Sequence, residues 1–183
     1  MVEAAIVLPL LLLVLFGIIE YGMMFRTSLT MSEATRAAAR VAVARPRSEL
    51  YERTAADAAK GSLLAAGIQD SQIGTLVVYR ANPATGGLLN GGDTDADIEA
   101  CSVDCWIFDW DAGTDSYIAR SGPEWPHTQQ YACGSEAETD YLGVHLKGTH
   151  HFLTGFFTGE KALRERTIMR LEPISTMTLA CKP

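Results

Sequence analysis

No lysine or arginine occurs before Arg26, and no cysteine before Cys101. The missing basic n-region argues against an ordinary secretory signal peptide, and Met23-Met24-Phe25-Arg26 offers no small-x-small cleavage site. The opening segment is therefore expected to be retained. Positive charge is scarce overall: 15 Lys and Arg face 22 Asp and Glu, for a net charge of −7 and a pI of about 5.0. That balance excludes a nucleic-acid binder, which needs a basic surface. No G-x-S-x-G, H-E-x-x-H or phosphate-binding loop is present, so neither an enzymatic activity nor a cofactor is expected. Internal repeats and low-complexity tracts are absent too.

What the chain does have is one long apolar run. Residues 4–25 carry no charge except Glu20, with Glu3 just before them and Arg26 just after. As a helix these 22 residues span roughly 33 Å, enough to cross a hydrocarbon core. The chain divides accordingly into an N-terminal hydrophobic and amphipathic helix, 1–45, and a globular head, 46–183. Pro9 is expected to kink or open the helix locally. Gly17 and Gly22 permit close helix approach, as small residues do in membrane packing. Past Arg26 the pattern turns amphipathic. Arg26, Thr30, Glu33, Arg36 and Arg40 make a polar stripe, with Leu29 intruding, while Met31, Ala34, Ala38, Val41 and Ala42 make a small apolar face. Glu33 and Arg36 are placed to pair on the surface. Pro46 ends the run.

In the head, Ser48 is the expected N-cap of a helix over Glu49 to Ala66, with Gly67 as its stop. Strands are expected at Ile73–Arg80, Cys105–Trp110, Asp115–Ala119, Tyr141–Gly148 and Thr167–Leu171, with a short last one at Thr176–Ala180. Leu142, Val144 and Leu146 share one face of the fourth. Residues 81–100 read as a long loop, 121–131 as an irregular Pro/Trp segment, and His151–Phe157 as a helical turn or two. The fold class is α+β: a long helix packed on an antiparallel sheet.

The cysteines, Cys101, Cys105, Cys133 and Cys181, all follow the apolar run, and an even count on one side of a membrane segment suggests disulfides in an oxidising compartment. The favoured pairing is Cys101–Cys105 with Cys133–Cys181; Cys101–Cys133 with Cys105–Cys181 is the rival. Arg26, Arg36, Arg40, Arg45 and Arg47 taken alone would put the head in the cytoplasm. The two readings are reconciled if a basic leader preceded Met1 and has been removed. Asp93, Asp95 and Asp97 alternate as in a calcium loop, with Asp104 at the twelfth position. Ile98 stands where glycine is required, however, and a solvated acidic loop is favoured. Asp109, Asp111 and Asp115 suit a hairpin turn better than a metal. His145, His150 and His151 have no zinc-finger spacing, and Trp106, Trp110 and Trp125 suit a core.

The opening Val2-Glu3-Ala4-Ala5-Ile6-Val7-Leu8-Pro9, the run Leu10–Phe16, and Gly17-Ile18-Ile19-Glu20-Tyr21-Gly22 resemble the type IV pilin superfamily. Within it they resemble the TadE-like proteins of tight-adherence (Tad) pilus systems. Glu33-Ala34-Thr35-Arg36-Ala37-Ala38-Ala39-Arg40 is similar to the family's second signature. The later VVYRA, GVHLKGTHHFLTGFF and IMRLEP resemble actinobacterial members. The resemblance implies a pilin-like fold and a prepilin cleaved by a prepilin peptidase. It implies insertion in the cytoplasmic membrane before assembly, and then incorporation, through the N-terminal helix, into a helical filament of copies at the cell surface. A pilus assembly platform and an ATPase are implied partners. Glu3 would neutralise the α-amino group of an adjacent subunit, and Glu20 would make a second contact between subunits. About 100° apart around the helix, the two acids address different neighbours. The family usually keeps its acid at the fifth mature position; here it is third. A bitopic assembly factor or tip adhesion module that never polymerises is the alternative.

Overall fold

The computed structural model describes residues 2–120, 124–133, 139–153 and 159–174, with side chains from residue 6 onward. Helix α1 runs unbroken over Val2–Val43, through Pro9. At 1.5 Å per residue its 42 residues reach roughly 63 Å, far longer than a small head needs. A second helix, α2 (Tyr51–Ala65), lies beside the C-terminal half of α1. Among the described residues five strands follow: β1 (Ile73–Ala81), β2 (Cys105–Asp111), β3 (Ser116–Ala119), β4 (Tyr141–His151) and β5 (Glu160–Arg170). They form one antiparallel sheet in the order β3-β2-β1-β4-β5. The expected α+β architecture, a long N-terminal helix on an antiparallel sheet, is what is found.

Both helices cover one face of the sheet. Their contact is built from small residues: Ala34, Ala38, Ala39 and Ala42 of α1 and Ala55, Ala56 and Ala59 of α2 are all buried. Opposite them stand Leu76, Val78, Phe108, Leu142, Val144 and Leu146, the inward set of three adjacent strands. The period-two alternation expected for Leu142, Val144 and Leu146 is therefore realised. Val41 departs from the expected apolar face and is partly exposed. Ser28 donates to Glu165 Oε1 (2.6 Å) and the Thr35 and Thr167 hydroxyls meet at 2.9 Å, tying α1 to β5. No ion pair joins Glu33 to Arg36 among the described residues.

The other sheet face is covered by residues 82–104. Val77, Tyr79, Ala81, Cys105 and Ile107 pack there against Leu88, Ile98 and Cys101. This connection contains a short helix, α3 (Asp95–Glu99), where a plain loop was expected. Thr94 caps it, accepting from the Asp97 amide while the Asp97 carboxylate accepts from the Thr94 amide, a reciprocal capping box. The Cys101–Cys105 disulfide closes the connection onto β2. Cys181, the expected partner of Cys133, lies outside the described residues, as does the expected last strand at 176–180.

Other boundaries differ for local reasons. The N-cap of α2 is Leu50, not Ser48, and no side chain caps it. Arg47 has φ +60° and is held by Gln130, which accepts from its amide and its guanidinium (both 2.7 Å); that contact delays the helix. Strand β4 continues to His151, where a helical turn was expected, because β5 starts at Glu160 and pairs with it over eleven residues. The remainder of that expected turn, 154–157, lies outside the described residues. Trp125, in the irregular segment, is fully buried; its carbonyl accepts from Tyr51 Oη (2.6 Å) and Trp106 Nε1 (3.2 Å).

One glycine is required by packing. The Tyr79 ring lies across Gly143, where an added Cβ would come within 2.2 Å of Cζ, and the Tyr79 hydroxyl donates to Gly86 O (2.7 Å). Gly143→Ala is expected to destabilise the head by about 1–3 kcal/mol, the usual cost of overpacking. Denaturant unfolding of wild type and variant measures it.

Candidate functional site

The feature that distinguishes this molecule is the N-terminal half of α1. Among the described residues, nothing covers its stretch over residues 6–15. Leu10 and Ile18 are each 66% exposed, Ile6 is 71% exposed, and every large apolar residue from Ile6 to Leu15 is exposed. The described part of the helix passes the length and composition test for a membrane span. In water such a surface is costly, at about 25 cal/mol for each Å². A bilayer or copies of the same helix would remove that cost.

The sequence-derived site residues fall along this helix. Glu3 and Pro9 lie in its first turns; the Glu3 side chain is outside the described set. At Gly17 and Gly22 an added Cβ would meet nothing within 4 Å. Among the described residues no contact requires a glycine at either position. Glu20 behaves unlike its neighbours. It is 0% exposed, whereas Ile19 and Tyr21 on either side are exposed. Among the described residues Glu20 is the first buried position of α1, inside the apolar run, and Thr27, Met31, Ala34 and Ala38 continue the buried face. Glu20 and Thr27 are two turns apart on that face.

The metal candidates are dispersed. Asp93 accepts from Thr85, Asp97 caps α3, and Asp104 lies near Arg80 and accepts from Asn90. The alternating acids therefore do not converge. Asp109 pairs with Arg120, and Asp111 closes the β2–β3 turn through Gly113 and Thr114. His145 faces Asp95 and Glu99 on one side of the sheet, while His150 and His151 line a cavity beside α1, so the three histidines do not converge. Among the described residues no group of three His, Cys, Asp or Glu side chains could hold a metal ion.

One charged cluster escaped sequence reasoning. Glu99 of α3 accepts from Lys147 Nζ and Arg164 Nε, both at 2.6 Å, and lies 3.6 Å from Nε2 of fully buried His145. Asp95 is 3.8 Å from Nδ1 of the same ring. Burial works to raise the Glu99 pKa, but the hydrogen bonds and charges of Lys147 and Arg164 outweigh it and hold the carboxyl below its ordinary range. For His145, burial dominates over Asp95 and Glu99 and lowers the imidazole below its ordinary value. A lowered histidine pKa means that the unfolded chain binds the proton first. Stability should therefore be level above about pH 6.5 and fall as pH drops below it. Below about pH 4.5 protonation of Glu99 adds a second loss. His145→Gln should remove the first of these two declines and leave the second, as read from thermal unfolding at a series of pH values.

Comparison with curated proteins and with solved structures finds no match. The exposed helix and its Ala-rich continuation do have a counterpart: residues 1–40 match the family model described as TadE-like protein.

Proposed function

We propose that this chain is a structural, pilin-like subunit of a Tad-type pilus. It is held in the cytoplasmic membrane by α1, with the head outside, and is then built into a surface filament of its own copies through the same helix. The observation that carries this reading is the apolar surface of α1 over residues 6–15, which the described residues leave exposed on every side, in a segment that matches the TadE-like family model. Membrane and fibre core are the two environments that suit such a surface, and the helix would pass from one to the other. Gly17 and Gly22, open in the single subunit, would let a neighbouring helix approach closely. Glu3 would pair with the α-amino group of the next subunit. A prepilin peptidase, an assembly platform and an ATPase are the partners this route requires, and the role is mechanical rather than catalytic. The second reading, a bitopic assembly factor or tip module, draws on the same span, which is long enough to serve as a simple anchor.

Electron microscopy of purified surface fibres separates the two: the chain should be the repeating subunit, and fibres in which it is absent favour the anchor. Mass spectrometry of the mature N-terminus tests processing. Glu3→Gln should reduce filament number sharply, since breaking one buried pair costs about 3–5 kcal/mol per interface; normal fibres containing the variant would refute the ion pair. Gly22→Leu should also reduce filaments, yet leave head stability within about 0.5 kcal/mol of wild type by denaturant unfolding.

A further inference from the structure

Where α1 leaves the head, a cavity of about 190 Å³ opens between three elements. Met23, Arg26 and Thr27 of α1 form one wall, Ile68 and Gln72 after α2 form another, and His150 at the end of β4 contributes a third. His150 is only 2% exposed, yet among the described residues neither ring nitrogen has a hydrogen-bond partner. Its ring meets Phe152 edge-on at 5.4 Å, a contact that leaves both nitrogens unsatisfied. A buried imidazole in that condition is costly and marks the place of a missing polar partner. Arg26 reaches the same cavity. One of its terminal nitrogens donates to Ala66 O at 3.3 Å, which leaves the rest of the five-donor fork available.

The other charged groups nearby leave the cavity open to an anion. Glu160 is engaged by His151 at 3.2 Å. Lys161 stands opposite His150 in the strand register. Glu20 lies on the same face of α1, nearer the N-terminus, and does not line the cavity.

Position supplies the second constraint. Arg26 is the first basic residue after the apolar run. With residues 4–25 across a bilayer of about 30 Å hydrocarbon thickness, Arg26 stands at the depth of the lipid phosphates. Exposed Ile18, Ile19 and Phe25 lead from that level down into the hydrocarbon. We propose that this cavity is a phospholipid site: Arg26 and His150 donate to the phosphate of an anionic lipid, whose acyl chains lie along the uncovered face of α1. The proposal rests on α1 spanning a bilayer and not on polymerisation, so its failure leaves the filament reading untouched.

The test uses the full chain in a neutral detergent, titrated with phosphatidylglycerol, phosphatidylcholine or inorganic phosphate and read by native mass spectrometry. One phosphatidylglycerol should be retained in preference to phosphatidylcholine. Arg26→Gln and His150→Phe, which keeps a ring but removes both nitrogens, should each weaken retention by about tenfold or more, as loss of a charge-assisted hydrogen bond does. Equal retention of the two lipids, or retention unchanged in both variants, overturns the proposal. Inorganic phosphate competing as well as the lipid would assign the cavity to a free anion and overturn the lipid assignment. Should His150→Phe fail to fold, the ring resonances of isotope-labelled His150 in the wild-type chain decide: a shift on adding phosphatidylglycerol supports the site, and no shift refutes it.

Discussion

Residues 6–15 of α1 present apolar side chains on every side, and among the described residues no element covers them. A helix that is apolar all round must be enclosed by something. The rest of the fold is arranged so that this enclosure is left to the surroundings. Among the described residues the fully buried face of α1 starts at Glu20, and the sheet and the second helix lie beside the C-terminal half. Had the head wrapped the N-terminal half as well, the span would have become an ordinary core helix, unable to exchange one apolar environment for another.

The gripping half is built differently from the free half. Leucine, isoleucine and valine dominate before Phe16; alanine dominates after Thr35. Alanine keeps the helix axes close and lets the sheet supply the larger side chains: Leu76, Phe108 and Leu146 do on one side what a bulkier α1 would do on the other. Burial of small side chains also costs little rotamer entropy, which suits a helix whose order is needed before any partner is present.

Much of this was legible from residue patterns. The long helix, its polar stripe and its end before Pro46 followed from periodicity and from proline chemistry. Strands β1, β2 and β4 followed from β-branched and aromatic runs. Strand β5 was recognised only from Thr167 onward, because Glu160–Arg166 is charged and has no apolar alternation. Its start is set by pairing with β4, a long-range fact. Helix α3 carries a local signal within what reads as a solvated acidic loop: Thr94-Asp95-Ala96-Asp97 is a capping box. Glu20 illustrates the limit of one-dimensional reading. Nothing in the sequence says which side of an apolar helix a distant segment will cover. The cavity at Arg26 and His150 was equally invisible, since its walls come from residues more than a hundred positions apart.

The direction in which α1 and β5 run has a mechanical meaning. Contacts occur in step along both: Ser28 with Glu165, Thr35 with Thr167, and the Val43 carbonyl with the Glu172 amide. The helix and the edge strand therefore advance together over the height of the head. A pull on the N-terminal end of α1 acts along this seam and loads its contacts in shear, all at once, instead of peeling them open one after another. A subunit held by its helix while its head is dragged by a surface or by flow would meet that load in its stronger direction.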